Sequence, residues 1–266
     1  MGLARLALAG LAVAIVALEV RRPLRRPARE PKLRRMERNA AVGAIAAITI
    51  RTCEYPIVLP LARLVERRRW GLLPRLPCPP AVRAVAALLA LDYTLYVWHV
   101  LTHRVPALWR FHAVHHADLD MDATTAIRFH FAELLVSVPW RAAQVALIGV
   151  PPRLLELWQT ITLMSVVFHH SNVRLSPHAE RRLAALVVTP RLHGIHHSRV
   201  PAEANSNWSS GLTLWDRLHG TLSSDMEVDG VVLGVDGFDT PGDVTLPRLL
   251  AAPFTRAASG PGTARA

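Results

Sequence analysis

The chain alternates long apolar runs with short segments rich in arginine or histidine. Five apolar stretches stand out: Leu6 to Val20, Ala40 to Leu64, Ala81 to Val105, Phe131 to Val150, and Leu154 to Phe168. A helix needs about 20 apolar residues to cross a hydrocarbon core of about 30 Å, so these runs predict membrane helices. The first run is short for a full span. One arginine precedes it and a dense arginine block follows, the reverse of a secretory signal, which predicts a signal-anchor or plain first helix. Arg51 and Glu54 interrupt the second run three residues apart, a spacing that allows them to pair on one helix face. Pro151 and Pro152 stop the fourth. The predicted fold class is all-α: an integral-membrane bundle of about four to five helices with a histidine-rich cap. Residues 1–80 read as N-terminal membrane helices and basic loops, 81–224 as the domain carrying the chemistry, and 225–266 as a C-terminal tail, partly disordered. The last part of that tail, from Ala252, is small, polar and Gly/Pro-bearing.

Composition supports the membrane reading. Hydrophobic residues make up 51% of the 266, but aromatics only 6%, so the apolar content is mostly Ala, Leu and Val. Small residues of this kind let membrane helices approach closely. The formal charge of +11 fits nucleic acid, an anionic leaflet or an acidic protein. Its distribution decides. Arg21, Arg22, Arg25, Arg26, Arg29, Lys32, Arg34, Arg35 and Arg38 sit directly behind the first apolar run, and no nucleic-acid-binding motif accompanies them. Cys53 and Cys78 are the only cysteines, too few for a disulfide framework or a cysteine metal site.

With the arginine block held in the cytoplasm, the third run delivers His99 and His103 to the cytoplasmic boundary. The fourth begins there, just after His130, and the fifth returns with His169 and His170. Everything beyond Ser171 then lies on the same side, including His193, His196 and His197. One feature resists this scheme: Arg63, Arg67, Arg68, Arg69, Arg75 and Arg83 would lie outside, against the positive-inside tendency. A re-entrant second segment would remove the conflict.

Thirteen histidines are present, most of them in spaced clusters. His99 and His103 are four apart on an apolar helix, so both imidazoles share one face. His112, His115 and His116 form H-x-x-H-H, and His193, His196 and His197 repeat it. Imidazole is the commonest transition-metal ligand, and spacing of three or four residues lets one helix clamp an ion. His99 with His103 alone reads equally as an interfacial polar pair. Three such clusters between apolar spans point to two metal ions. No Ser-His-Asp order, P-loop, G-x-G-x-x-G or H-E-x-x-H is present, which removes the obvious hydrolase, nucleotide-binding and zinc-protease classes.

The stretches WHVLTH (Trp98 to His103), LWRFHAVHH (Leu108 to His116), RFHFAELL (Arg128 to Leu135), HHSNVRL (His169 to Leu175) and TPRLHGIHHS (Thr189 to Ser198) occur in that order. NSNW (Asn205 to Trp208) and LWDRLHGT (Leu214 to Thr221) follow. From Leu91 to Thr221, about half the chain, the sequence resembles the fatty acid hydroxylase / sterol desaturase superfamily of membrane di-iron enzymes. The resemblance implies that His99, His103, His112, His115, His116, His170, His193, His196 and His197 are metal ligands, with His169 and His130 as further candidates. It places Asn172, Asn205, Asn207 and Asp216 around the site, Asp216 pairing with Arg217 or an imidazole. His178 reads as a surface residue and His219 as structural.

The implied activity is that of an oxidoreductase, hydroxylating or desaturating a membrane lipid with O2 and two iron ions, which zinc can replace in purified protein. A ferredoxin or cytochrome b5-like donor would supply electrons, because the chain carries no flavin, haem or cluster motif. The rival readings are a non-redox membrane zinc protein, either hydrolase or transporter, and a bis-histidine haem protein. A transporter would place ionisable groups near the bilayer midplane, whereas here they gather at one boundary.

Overall fold

The computed structural model describes residues 2–26, 29–224 and 231–255, and among them no strand forms. Five long helical rods run between a polar cap and the opposite end of the bundle. α1 is Gly2–Arg21. α2 (Lys32–Thr49) continues through a π turn, Ile50–Glu54, into α3 (Tyr55–Arg68). α4 is Pro80–Arg104, followed in the cap by α5, Pro106–His116. α6 (Phe131–Ile148) leads away from the cap and α7 (Pro152–His170) returns to it. Short helices α8 (Pro177–Ala184), α9 (Pro190–His196), α10 (Pro201–Ala204), α11 (Leu214–His219) and α12 (Leu246–Ala251) build the rest of the cap. Proline at the first turn fixes the start of many of these helices, where its missing N–H removes nothing the helix needs.

Three stretches are long and apolar enough to cross a membrane: Lys32–Arg75, Pro80–Arg104 and Phe131–Ile148. Large side chains such as Ile48, Val85 and Leu147 are exposed on their outer faces. That arrangement suits lipid, which does not penalise exposed apolar surface. The second apolar run is a through-running rod and not a re-entrant hairpin. At about 1.5 Å per residue, Lys32 to Arg68 covers about 55 Å, well beyond the hydrocarbon thickness. The excess lies in the cap, where Arg35, Arg38 and Asn39 are buried.

At the far end the rods close tightly. Gly71 (φ +96°) lies so near Gly149 that a Cβ on it would meet the Gly149 Cα at 2.4 Å. Leu72 N–H donates to the Leu147 carbonyl across the same gap. Val58, Ala62, Val65, Leu91, Val145 and Leu155 form the core between the rods. A second core in the cap joins Val42, Trp109, Ala113 and Val114 to Val235, Phe238, Val244 and Leu249. Residues 231–255 of the expected tail therefore pack against α2 and α5, and 256–266 lie outside the described residues.

One expected pairing is replaced. Glu54 is buried against Arg141 (3.9 Å), while Arg51 is exposed, because the π turn rotates them apart. The arginine block is also less free than its sequence suggests. Arg35 pairs with Asp122 and Asp120, Arg38 with Glu30 and Asp118, and Arg128 with Asp118. These buried ion pairs tie α2 to the loop after α5. Cys53 and Cys78 are free thiols.

Candidate metal centre

The cap ends of α4 and α7, together with α5 and α9, bring nine buried histidines into two adjoining cradles. His99, His103, His112, His116 and His196 form one; His115, His170, His193 and His197 form the other. Within each cradle the ligand nitrogens lie within 4.8 Å of one another. Helix geometry dictates the assignment. Side chains four apart differ by about 40° around the axis, those three apart by about 60° in the opposite sense. His99 with His103, and His112 with His116, thus share the five-histidine cradle, and His193 with His197 shares the four-histidine one. The remaining histidine of each H-x-x-H-H turns to the neighbouring cradle. Each H-x-x-H-H motif thus serves both cradles.

The hydrogen bonds fix the ring tautomers. His99 Nδ1 lies 2.6 Å from the Trp208 carbonyl, His196 Nδ1 2.8 Å from that of Ser206, and His170 Nδ1 2.7 Å from that of Val166. A carbonyl only accepts, so each Nδ1 carries the hydrogen and each Nε2 presents a lone pair. Yet His99 Nε2 and His196 Nε2 are 3.0 Å apart. Two bare lone pairs at that distance repel unless a cation lies between them. Two nitrogens bound at about 2.1 Å, at right angles on one ion, would be about 3.0 Å apart. His170 Nε2 faces His115 Nε2 and His193 Nε2, each at 3.0 Å, and His197 Nε2 lies 3.2 Å from His193 Nε2. Both nitrogens of His103, and Nε2 of His112 and His116, are buried without a hydrogen-bond partner. Buried polar atoms left unpaired are costly, and a metal ion would take one nitrogen from each of these three rings. Burial, then the neighbouring imidazoles, hold His115, His116, His193 and His197 well below the ordinary histidine range; burial does the same for His196. They are neutral, as ligands must be.

The surrounding shell contains one residue whose role spacing did not disclose. Glu133, in the first turn of α6, lies 2.8 Å from His112 Nδ1 and is itself buried. A carboxylate accepting from one ring nitrogen aims the other at a metal and raises its basicity. The only signal in the sequence was an acid at the start of an apolar run. Asp216 accepts from the backbone N–H of Trp208 (3.0 Å) and Ser209 (2.9 Å), and so holds the carbonyl that orients His99. Arg217, its expected partner, instead donates to the Ala184 carbonyl. Asn207, in the left-handed region at φ 51°, donates to Leu192 and Ser223 carbonyls and fixes α9. Asn172 pairs with the backbone of Arg25 on both sides of its amide, clasping the end of α1 to the residues after His170. Asn205 only bonds back to Pro201.

The two further candidates separate from the ligands. His169 is buried with its ring 4.0 Å from that of His193, but belongs to neither cradle. His130 caps α6 by accepting from Ala132 N–H (3.1 Å), and its Nε2 lies 3.2 Å from the Leu250 carbonyl. His178 is exposed, and His219 is an exposed ring stacked on Tyr93 and Tyr96.

Fold and site together define an all-helical membrane protein with paired, buried imidazole cradles suited to two metal ions. The fatty acid hydroxylase model matches residues 84–221. The chain belongs to the fatty acid hydroxylase family. An ornithine lipid hydroxylase of Rhizobium tropici is 33% identical over 67% of this chain and 52% of its own length. Alkylglycerol monooxygenase of Xenopus tropicalis is 29% identical over 52% of the chain and 30% of its own length. Cholesterol 25-hydroxylase of Mus musculus is 30% identical over 63% and 56%. The matches thus span between about a third and somewhat over half of these relatives' length. No solved structure is a significant match to this chain.

Proposed function

We propose that this chain is an O2-dependent lipid hydroxylase that works with two iron ions, one in each histidine cradle. The observation that carries this reading is the facing pair of bare Nε2 atoms on His99 and His196, repeated around His170 in the second cradle. Bound there, iron would supply the activation of O2 that attack on an unreactive C–H bond requires, chemistry that side chains alone lack. The chain's own contribution is to hold the rings. Carbonyls of Trp208, Ser206 and Val166 and the carboxylate of Glu133 set the tautomers. Burial of all nine ligands excludes water and keeps the imidazoles unprotonated. The relatives' names describe hydroxylases and monooxygenases of lipids, which favours hydroxylation over desaturation. A lipid would reach the cradles sideways from the bilayer. The arginine block behind α1 favours a cytoplasmic cap by the positive-inside tendency, where a ferredoxin or cytochrome b5-like protein would deliver electrons.

The test is metal content of detergent-purified protein from iron-supplemented cells, paired with oxygen-18 incorporation into extracted lipids. Iron near two per chain with label in a lipid hydroxyl is expected. Folded protein that takes up zinc but no iron, even after ferrous reconstitution, would overturn the proposal in favour of a non-redox zinc protein.

A further inference from the structure

The arginine block behind α1 divides into two halves with opposite surroundings. Arg29, Arg35 and Arg38 reach carboxylates or carbonyls of the cap. Arg22 and Arg26 are exposed, and with Arg174 they line a cavity of about 630 Å³ together with Leu175 and Ser176. No acidic side chain forms an ion pair with any of the three among the described residues. The frame of this cavity is rigid. Arg174 N–H donates to the Arg22 carbonyl and Leu24 N–H to that of Asn172, each at 2.8 Å. The Arg174 guanidinium is itself locked to the carbonyls of Pro23 (3.2 Å) and Leu24 (2.9 Å). Three guanidinium groups held around one space repel each other unless an anion enters, and a phosphate with several acceptor oxygens suits such a fork of donors.

A second observation says what the anion is attached to. Val13, Val16, Ala17, Val20 and Arg21 line an apolar groove along α1 of about 580 Å³. It ends at Arg21, one residue before the basic cavity begins. Val13 and Val20 are about 70% exposed, so no described residue covers them. A charged cavity following an apolar groove on one helix has the polarity of a phospholipid at a bilayer surface.

We propose that Arg22, Arg26 and Arg174 bind the phosphate of an anionic bilayer phospholipid whose acyl chain lies along the α1 groove. The site requires neither metal nor turnover, so it stands independently of the proposed activity.

The experiment is thermal unfolding of the full chain in detergent, titrated with phosphatidylglycerol, phosphatidylcholine or inorganic phosphate. Saturable stabilisation by phosphatidylglycerol is expected, weaker by about tenfold or more in the apparent Kd of Arg22→Gln/Arg26→Gln. Arg67→Gln/Arg68→Gln, at the opposite end of the bundle, should bind like the unaltered protein. Val16→Gln/Val20→Gln should weaken the lipid without altering any response to inorganic phosphate. Equal stabilisation by phosphatidylglycerol in the Arg22/Arg26 variant would overturn the proposal. Inorganic phosphate matching the lipid would also overturn it, leaving a site for free anions.

Discussion

The two histidine cradles are built from the same motifs, yet their surroundings differ. In the four-histidine cradle the ring nitrogens face one another closely, and the Val166 carbonyl, 2.7 Å from Nδ1, orients His170. The five-histidine cradle is more strongly oriented. His103, His112 and His116 present unpartnered nitrogens, carbonyls aim His99 and His196, and the carboxylate of Glu133 aims His112. The difference follows from where each cradle sits. α6 starts beside His112 and brings a carboxylate to the first cradle, while α7 brings the Val166 carbonyl to His170 in the second. The same imidazole chemistry thus sits in unequal surroundings, and the carboxylate beside the first cradle predicts that it is the tighter binder of a cation.

Removing a ligand is the harshest way to test that comparison. His112→Ala and His197→Ala should each lower iron from two per chain to one and abolish hydroxylation, each emptying a different cradle. Metal analysis alongside oxygen-18 incorporation reads this. Loss of both ions in either variant would mean the cradles form one cooperative site. Glu133→Gln comes next. It keeps the shape and a hydrogen-bond acceptor but removes the charge, so the five-histidine cradle should bind ferrous iron about 10–100-fold more weakly. Chelator competition should show one weakened ion and one unchanged. Two unchanged ions would end the claim that Glu133 distinguishes the sites.

Protons probe both cradles together. His115, His116, His193, His196 and His197 have folded-state values well below the ordinary 6.5, because burial disfavours their charged forms. Below pH 6.5 the unfolded chain takes up protons that the folded chain refuses, so stability of the metal-free protein is lost as pH falls. Each imidazole contributes a slope of about 1.4 kcal/mol per pH unit in that window. Denaturant midpoints of metal-free protein should fall steeply from pH 7 to pH 5, and metal-loaded protein should resist. A flat profile for the metal-free form would show that the cradles open to water.

How much of this could be read from the chain alone follows the range of the interactions involved. The rods were legible because apolar runs and proline starts are local signals: Ala81 to Val105 became Pro80–Arg104, and Phe131 to Val150 became Phe131–Ile148. The clustered histidines were legible because helical spacing is local too. Their division between cradles was not, since it depends on how α5 and α9 face each other across more than seventy residues. Glu133 gave no spacing relation to His112, twenty-one positions away. The Arg35 and Arg38 pairs with Asp122 and Asp118 were hidden for the same reason.

The gentlest perturbation concerns a histidine beside the cradles that serves neither. His130 sits in a stretch of motif and is buried, which is how a ligand looks in sequence. Its ring, however, accepts from Ala132 N–H and meets the Leu250 carbonyl, so both nitrogens are committed to backbone. Asparagine offers a side-chain acceptor of similar reach and is among the preferred residues at a helix N-cap. His130→Asn should therefore keep both ions and full hydroxylation, with unfolding changed by less than about 0.5 kcal/mol, whereas His130→Ala should cost about 1 kcal/mol through the lost cap. Loss of one iron in the asparagine variant would make His130 a ligand and require α6 to start differently from the helix described here.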